Sequence, residues 1–194
     1  MQKSLVTAVW IVGIIWAVFL LNIIIPFADF RNFGIRPRTF DGLWGILFSP
    51  FLHLNIGHIL SNSIPLFILS AALVAFYRKI WWQVLLYSAL IGGAAVWLMA
   101  RGGTNHIGAS GVIFSLMAFH IFSGLFRRTI KSILVGVVVF FLYGGSMLFG
   151  VLPTQPGVSW EGHLFGALAG VLLAWYFRKT KETDFLNKRS ESGV

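Results

Sequence analysis

Ser110 and His163, each at the head of an apolar helix, are the residues of this chain best suited to chemistry. Ser110 stands in the run Gly108-Ala109-Ser110-Gly111, and His163 in Gly162-His163-x2-Gly166. Serine becomes a nucleophile when a base takes its proton, and neutral imidazole is the usual base near pH 7. Both residues belong to stretches apolar enough for lipid, so the pair points to peptide-bond hydrolysis within a membrane. No aspartate lies in any of these stretches. The carboxylate of a triad is therefore missing, and a Ser–His dyad is the expectation. Glu161, two residues from His163, projects from another helix face and reads as an interfacial charge. The tetrahedral intermediate of such a reaction needs hydrogen-bond donors aimed at its oxyanion. His58 and Asn62 are i, i+4 neighbours and leave one helix face together. The Asn62 amide, a ring nitrogen of His58 and the backbone N–H of Ser110, at a helix N-terminus, form a candidate hole. The plainer alternative for His58 and Asn62 is hydrogen bonding between helices.

Other chemistries fit less well. Cysteine is absent, which excludes disulfides, thiolate catalysis and cysteine metal sites. His53 sits at the external end of the helix bearing His58 and supports either the loop or His58. His106 reads as a loop histidine, and His120, ten residues beyond Ser110, as packed core. No His-Glu-x-x-His spacing or carboxylate cluster accompanies them, so no metal ion or other cofactor is expected. The G-x-S-x-G elbow of soluble hydrolases is not matched, because Val112 fills its last place.

The elements that must position these residues are membrane helices. The chain is 57% hydrophobic and only 11% charged, against about 25% charged in soluble domains. It reads as an all-α polytopic membrane protein, a single bundle over residues 1–194. Six apolar stretches, roughly 5–25, 56–76, 81–100, 110–126, 132–150 and 161–177, can span or nearly span a hydrocarbon core about 30 Å thick. The first is too long for a signal-peptide core and lacks a small-residue cleavage site after it, so it reads as a transmembrane helix. The net charge is +9, from 15 basic and 6 acidic residues. With both termini on one side, that side holds eleven basic residues, and the other holds Arg31, Arg36, Arg38 and Arg101. This asymmetry places both termini in the cytoplasm. The charge is topological, and nucleic acid is not an expected partner. The basic C-terminal cluster either meets anionic lipid headgroups or is a solvated tail.

Depth brings the polar residues together. The second, fourth and sixth spans run from outside to cytoplasm, and each ends at an arginine. Ser110 lies 17 residues before Arg127, His163 15 before Arg178 and Asn62 16 before Arg78. At 1.5 Å per residue these are heights of about 25, 22 and 24 Å. Facing agrees as well: Gly162, Gly166 and Gly170 form a small-residue stripe near His163, and Gly111 and Ser115 lie beside Ser110. A glycine-lined contact between the fourth and sixth spans would draw Ser110 and His163 together. The long connection 26–55, rich in Arg, Pro and aromatics, is expected partly at the interface, as an amphipathic connector or as a lateral wall of a site. Pro65 should bend the second span. Pro153 and Pro156, with Gly150 and Gly157, mark an irregular external flap, and the polar run 101–106 could admit water.

Taken together, His53-x4-His58-x3-Asn62, Gly108-Ala109-Ser110-Gly111 and Gly162-His163-x2-Gly166, in this order within six spans, resemble a rhomboid intramembrane serine protease. The resemblance covers nearly the whole chain and implies a six-transmembrane-helix rhomboid-like bundle. It implies Ser110 as nucleophile, His163 as general base, and His58, Asn62 and the Ser110 amide as oxyanion donors. His53, Gly108, Ala109, Gly111, Phe114 and Gly166 would be supporting residues. Family members cleave single-pass membrane proteins near the outer end of the substrate helix, without metal or nucleotide. Their fifth helix and the flap after it, here about 132–150 and 151–159, gate access. The minimal architecture suggests a prokaryotic plasma membrane. Two positions depart from the family pattern: Phe114 stands where some relatives stack a tyrosine on the histidine, and the first external loop shows Arg36-Pro37-Arg38 and Trp44 instead of a Trp-Arg pair. The alternatives are an inactive rhomboid-like protein that binds and escorts membrane helices, and, more remotely, a channel or transporter.

Overall fold

The computed structural model describes residues 2–25, 27, 29–154 and 157–180. In hydrocarbon every backbone N–H and C=O must be satisfied within the protein, so apolar runs of this length become helices. α1 (Gln2–Ile24) leads into the long connection 26–55, which holds the one-turn α2 (Gly45–Phe48). α3 (Ile56–Phe76), α4 (Trp81–Met99), α5 (Ser110–Arg127), α6 (Ile130–Gly150) and α7 (Trp160–Tyr176) follow. The six long helices match the six expected spans to within three residues at each end. Five of them are long and apolar enough to cross a membrane. The exception is α7, whose 17 residues rise about 26 Å, short of a core about 30 Å thick. The chain is a multi-pass membrane protein.

Local chemistry sets the helix starts. The Asn55 side chain accepts the His58 N–H at 2.9 Å, Thr129 Oγ1 the Ser132 N–H at 3.2 Å, and Ser159 Oγ the Gly162 N–H at 3.2 Å. Each cap satisfies a donor that has no partner within its helix. Pro65 lies inside α3, which continues unbroken past it.

α5 is the central post, packed by α3, α4, α6 and α7. Leu116, Ala118 and Phe119 are fully buried in it, and Ser115 shares a 2.7 Å hydrogen bond with Ser88 of α4. α7 lies against α4 and α5. The connection between α1 and α3 is latched rather than loose. Ile35 and His106 form an antiparallel bridge. Arg38, in the left-handed region at φ 58°, donates to the carbonyls of Leu98 and Ala100 at the end of α4. Of the residues expected to matter on the flap and the tail, Pro156, Lys181, Lys188 and Arg189 lie outside the described residues.

Candidate active site

One cavity of about 930 Å³ is lined by His58, Asn62, Ser110, Phe114 and His163. Ser110, His163 and Asn62, expected at one depth, thus line one space. Ser110 is the first residue of α5, where backbone N–H groups lack helical acceptors. The turn before it needs Gly108, whose φ of +119° lies in the region that disfavours side chains. A Cβ at Gly108 would meet His58 Nε2 at 2.6 Å and Asn62 Nδ2 at 3.6 Å. The polar pair on α3 thus reaches the backbone two residues before Ser110. A second cavity of about 40 Å³ lies against Ser110 and is lined also by Ser49, Ser88, His106 and Ser159. Its size admits a water molecule.

The hydrogen bonds assign protons to the rings. His163 Nδ1 lies 2.9 Å from the carbonyl oxygen of Gly150. A carbonyl only accepts, so Nδ1 carries the proton and Nε2 of the neutral ring is left as the acceptor. His58 is the reverse: its Nδ1 accepts the Leu54 N–H at 3.4 Å, so its Nε2 is the donor. Phe114 stacks on His163 with centroids 4.0 Å apart and planes 8° from parallel. A Cβ on Gly150 would collide with that phenyl ring, so a glycine is required there for the stack and the carbonyl contact to coexist. Asn62 is 5% exposed, and its Nδ2 has no partner among the described residues. A buried donor without an acceptor is costly, and this one lies on the cavity wall.

His53 lies against His58 and the turn before Ser110. Its ring meets that of His58 edge-to-face at 5.0 Å, and its Nε2 accepts from Ala109 N–H at 3.5 Å. Burial, then the nearby His58, pushes its pKa down to about 4. Gly111 and Gly166 let α5 and α7 touch. A Cβ on Gly166 would run into the Gly111 carbonyl oxygen, and one on Gly170 into that of Ser115.

Three features the sequence singled out gain definite surroundings. Glu161, read as an interfacial charge, is 2% exposed, with both carboxylate oxygens on the guanidinium of the exposed Arg101. The loop before α5 folds back over the start of α7 and covers it. His106 is a loop histidine as expected, and it is 6% exposed, with both ring nitrogens engaged. The connection 26–55 contributes Asp29, Arg31 and Asn32 to the cavity wall, which favours the lateral-wall alternative over the plain connector. His120 is packed core as expected, fully buried with Nε2 on the Leu69 carbonyl. The Gly150 carbonyl and Ser159 escaped the sequence reading, since a backbone oxygen and a serine outside every span carry no pattern. Among the described residues no group of three His, Asp or Glu is arranged to hold a metal ion.

A family model described as Rhomboid domain matches residues 41–180. An uncharacterized protein of Mycobacterium tuberculosis is 44% identical over 152 residues, covering 73% of this chain and 62% of that protein. The Bacillus subtilis protein provisionally named rhomboid protease YdcA is 29% identical over 157 residues, 79% of this chain and 75% of that one. Rhomboid-like protein 11, chloroplastic, of Arabidopsis thaliana is 26% identical over 185 residues, 86% and 66% of the two chains. The chain thus spans about three-fifths of the mycobacterial relative it matches.

Proposed function

Because the chain belongs to the rhomboid family, we propose that it is an intramembrane serine endopeptidase with a Ser110–His163 dyad. The observation that carries this reading is the convergence of Ser110, His163, His58 and Asn62 on one cavity, with His163 protonated on Nδ1 by its bond to Gly150. Ser110 Oγ attacks the scissile carbonyl while His163 Nε2 takes its proton. Asn62 Nδ2, His58 Nε2 and the Ser110 N–H donate to the oxyanion as the tetrahedral intermediate forms. The imidazolium then gives its proton to the leaving amine, the C–N bond breaks, and an acyl-enzyme remains. Water, deprotonated by His163, attacks the ester and frees Ser110.

No carboxylate orients the base. The Gly150 carbonyl takes that place, and as the last residue of α6 it lies at a helix C-terminus, whose partial negative charge favours an imidazolium. The substrates are single-pass membrane proteins reaching the cavity from the lipid bilayer, and the setting is a prokaryotic plasma membrane. No metal or nucleic acid takes part. Labelling of the purified protein with a serine-directed fluorophosphonate tests the reading without knowledge of the substrate. Wild type should label, and Ser110→Ala and His163→Ala should not. A folded wild type that stays unlabelled, or labelling that persists in Ser110→Ala, would overturn it and favour a helix-binding role.

A further inference from the structure

His106 bridges the loop that ends at Ser110 and the first turn of the helix that bears His163, and its role follows from counting protons. Thr104 Oγ1 donates its only proton to the Arg101 carbonyl at 2.7 Å. Its contact with His106 Nε2 at 2.8 Å must therefore be accepted from an Nε2–H. In the neutral ring Nδ1 is then an acceptor, and the partner 2.6 Å away is Ser159 Oγ. That hydroxyl donates to His106 while accepting the Gly162 N–H at 3.2 Å. The Ser159 carbonyl accepts the N–H of His163 itself at 3.1 Å. A one-directional chain thus runs from Gly162 through Ser159, His106 and Thr104 to Arg101. The backbone of His106 is pinned too, exchanging both of its hydrogen bonds with Ile35.

We propose that His106 is a positioning residue, which through Ser159 sets where the His163 ring stands relative to Ser110. The proposal rests on the protease reading given above. Burial keeps His106 below the usual histidine range, with Glu161 opposing and Arg101 reinforcing the shift, in keeping with the neutral ring the chain requires. The α5–α7 contact sets the distance between the two helices, and the Glu161–Arg101 pair ties the first turn of α7 to the loop before α5. The hydrogen bond from the capping residue Ser159 to His106 adds a second tie, at the residue whose carbonyl accepts the His163 N–H.

The test compares wild type with His106→Leu, Ser159→Ala, the double variant and His106→Asn, whose Oδ1 stands close to where Nδ1 does and can accept from Ser159. The readouts are the fluorophosphonate labelling rate, kcat and KM on a transmembrane substrate, and thermal melting. His106→Leu and Ser159→Ala should each slow labelling about tenfold, the double variant no further, and His106→Asn by less than about threefold. KM should hold while kcat falls. Losses that add in the double variant, that follow the melting temperature, or that His106→Asn fails to rescue would reduce His106 to a structural residue. Selective ¹⁵N labelling of histidine gives an activity-independent check, in which His106 should show the Nε2–H tautomer. The Nδ1–H form or a charged ring at pH 7 would overturn the proposal even if the enzyme is active. A wild type that fails to label refutes the protease reading, and with it this role; normal labelling by His106→Leu refutes this role alone.

Discussion

α5 and α7 meet backbone to backbone, whereas α6 lies over the same cavity mostly on side chains. At the first contact Gly166 and Gly170 leave no room for a methyl group between the helices, and a Cβ on Gly111 would lie 3.3 Å from the Gly162 carbonyl oxygen. Of the apolar stretch of α5, 61% is buried; for α6 the figure is 22%. α6 is itself uneven. Near its start a Cβ on Gly136 would lie 3.0 Å from the His120 carbonyl oxygen, while one on Gly145 would meet nothing within 4 Å. Its second half exposes Phe141, Leu148 and Phe149 and packs on the core through Tyr143 and Met147. Yet that same half ends at Gly150, whose carbonyl holds His163. The close contact sets the spacing of α5 and α7, while α6 both walls the cavity and holds the His163 ring through the Gly150 carbonyl. Displacing the end of α6 would release that ring, so covering the cavity and orienting His163 are mechanically linked.

Four measurements can break or sharpen this contrast. Asn62→Ala removes one oxyanion donor from the α3 wall and should cut kcat by about 10²–10³, near 3 kcal/mol. Turnover at the wild-type rate would return Asn62 to interhelical packing. Gly166→Ala forces α7 off the Gly111 carbonyl and should lower stability by about 1–3 kcal/mol, read by unfolding in mixed micelles. Acid should loosen the loops that hold the heads of α5 and α7. His53 binds its proton only near pH 4 in the fold but near 6.5 when unfolded. Between these values the unfolded chain binds more protons, so the contribution of His53 is complete above about pH 6.5 and is lost as pH falls toward 4. His106 is shifted in the same direction by burial. The melting temperature should drop across that window, and less steeply in His53→Asn. The smallest effect belongs to Gly145→Ala, which should be neutral or up to about 1 kcal/mol stabilising. A cost equal to that of Gly166→Ala would end the distinction between the two contacts.

Much of the frame was legible before any coordinates. Span lengths and charge asymmetry follow from lipid solvation, so the six long helices lie within three residues of their expected ends. The shared depth of Ser110, His163 and Asn62 followed from a fixed rise per residue, and the shared face of His58 and Asn62 from helical periodicity. The partner of Glu161 was not legible, because nothing in its neighbours announces Arg101, 60 positions away. For His106 the sequence showed a polar loop, while the fold brings Ser159, 53 residues on, against its ring.

The sequence by itself determined which residues enter the membrane, at what height and on which helix face, because those depend on properties repeated along one chain direction. Only the tertiary structure decided which nitrogen of each histidine carries the proton, that a helix-end carbonyl stands behind His163, and that Glu161 is buried and paired. Those outcomes depend on the direction of single hydrogen bonds between segments distant in sequence, and a donor or acceptor is chosen by what lies within about 3 Å of it, not by its neighbours in the chain.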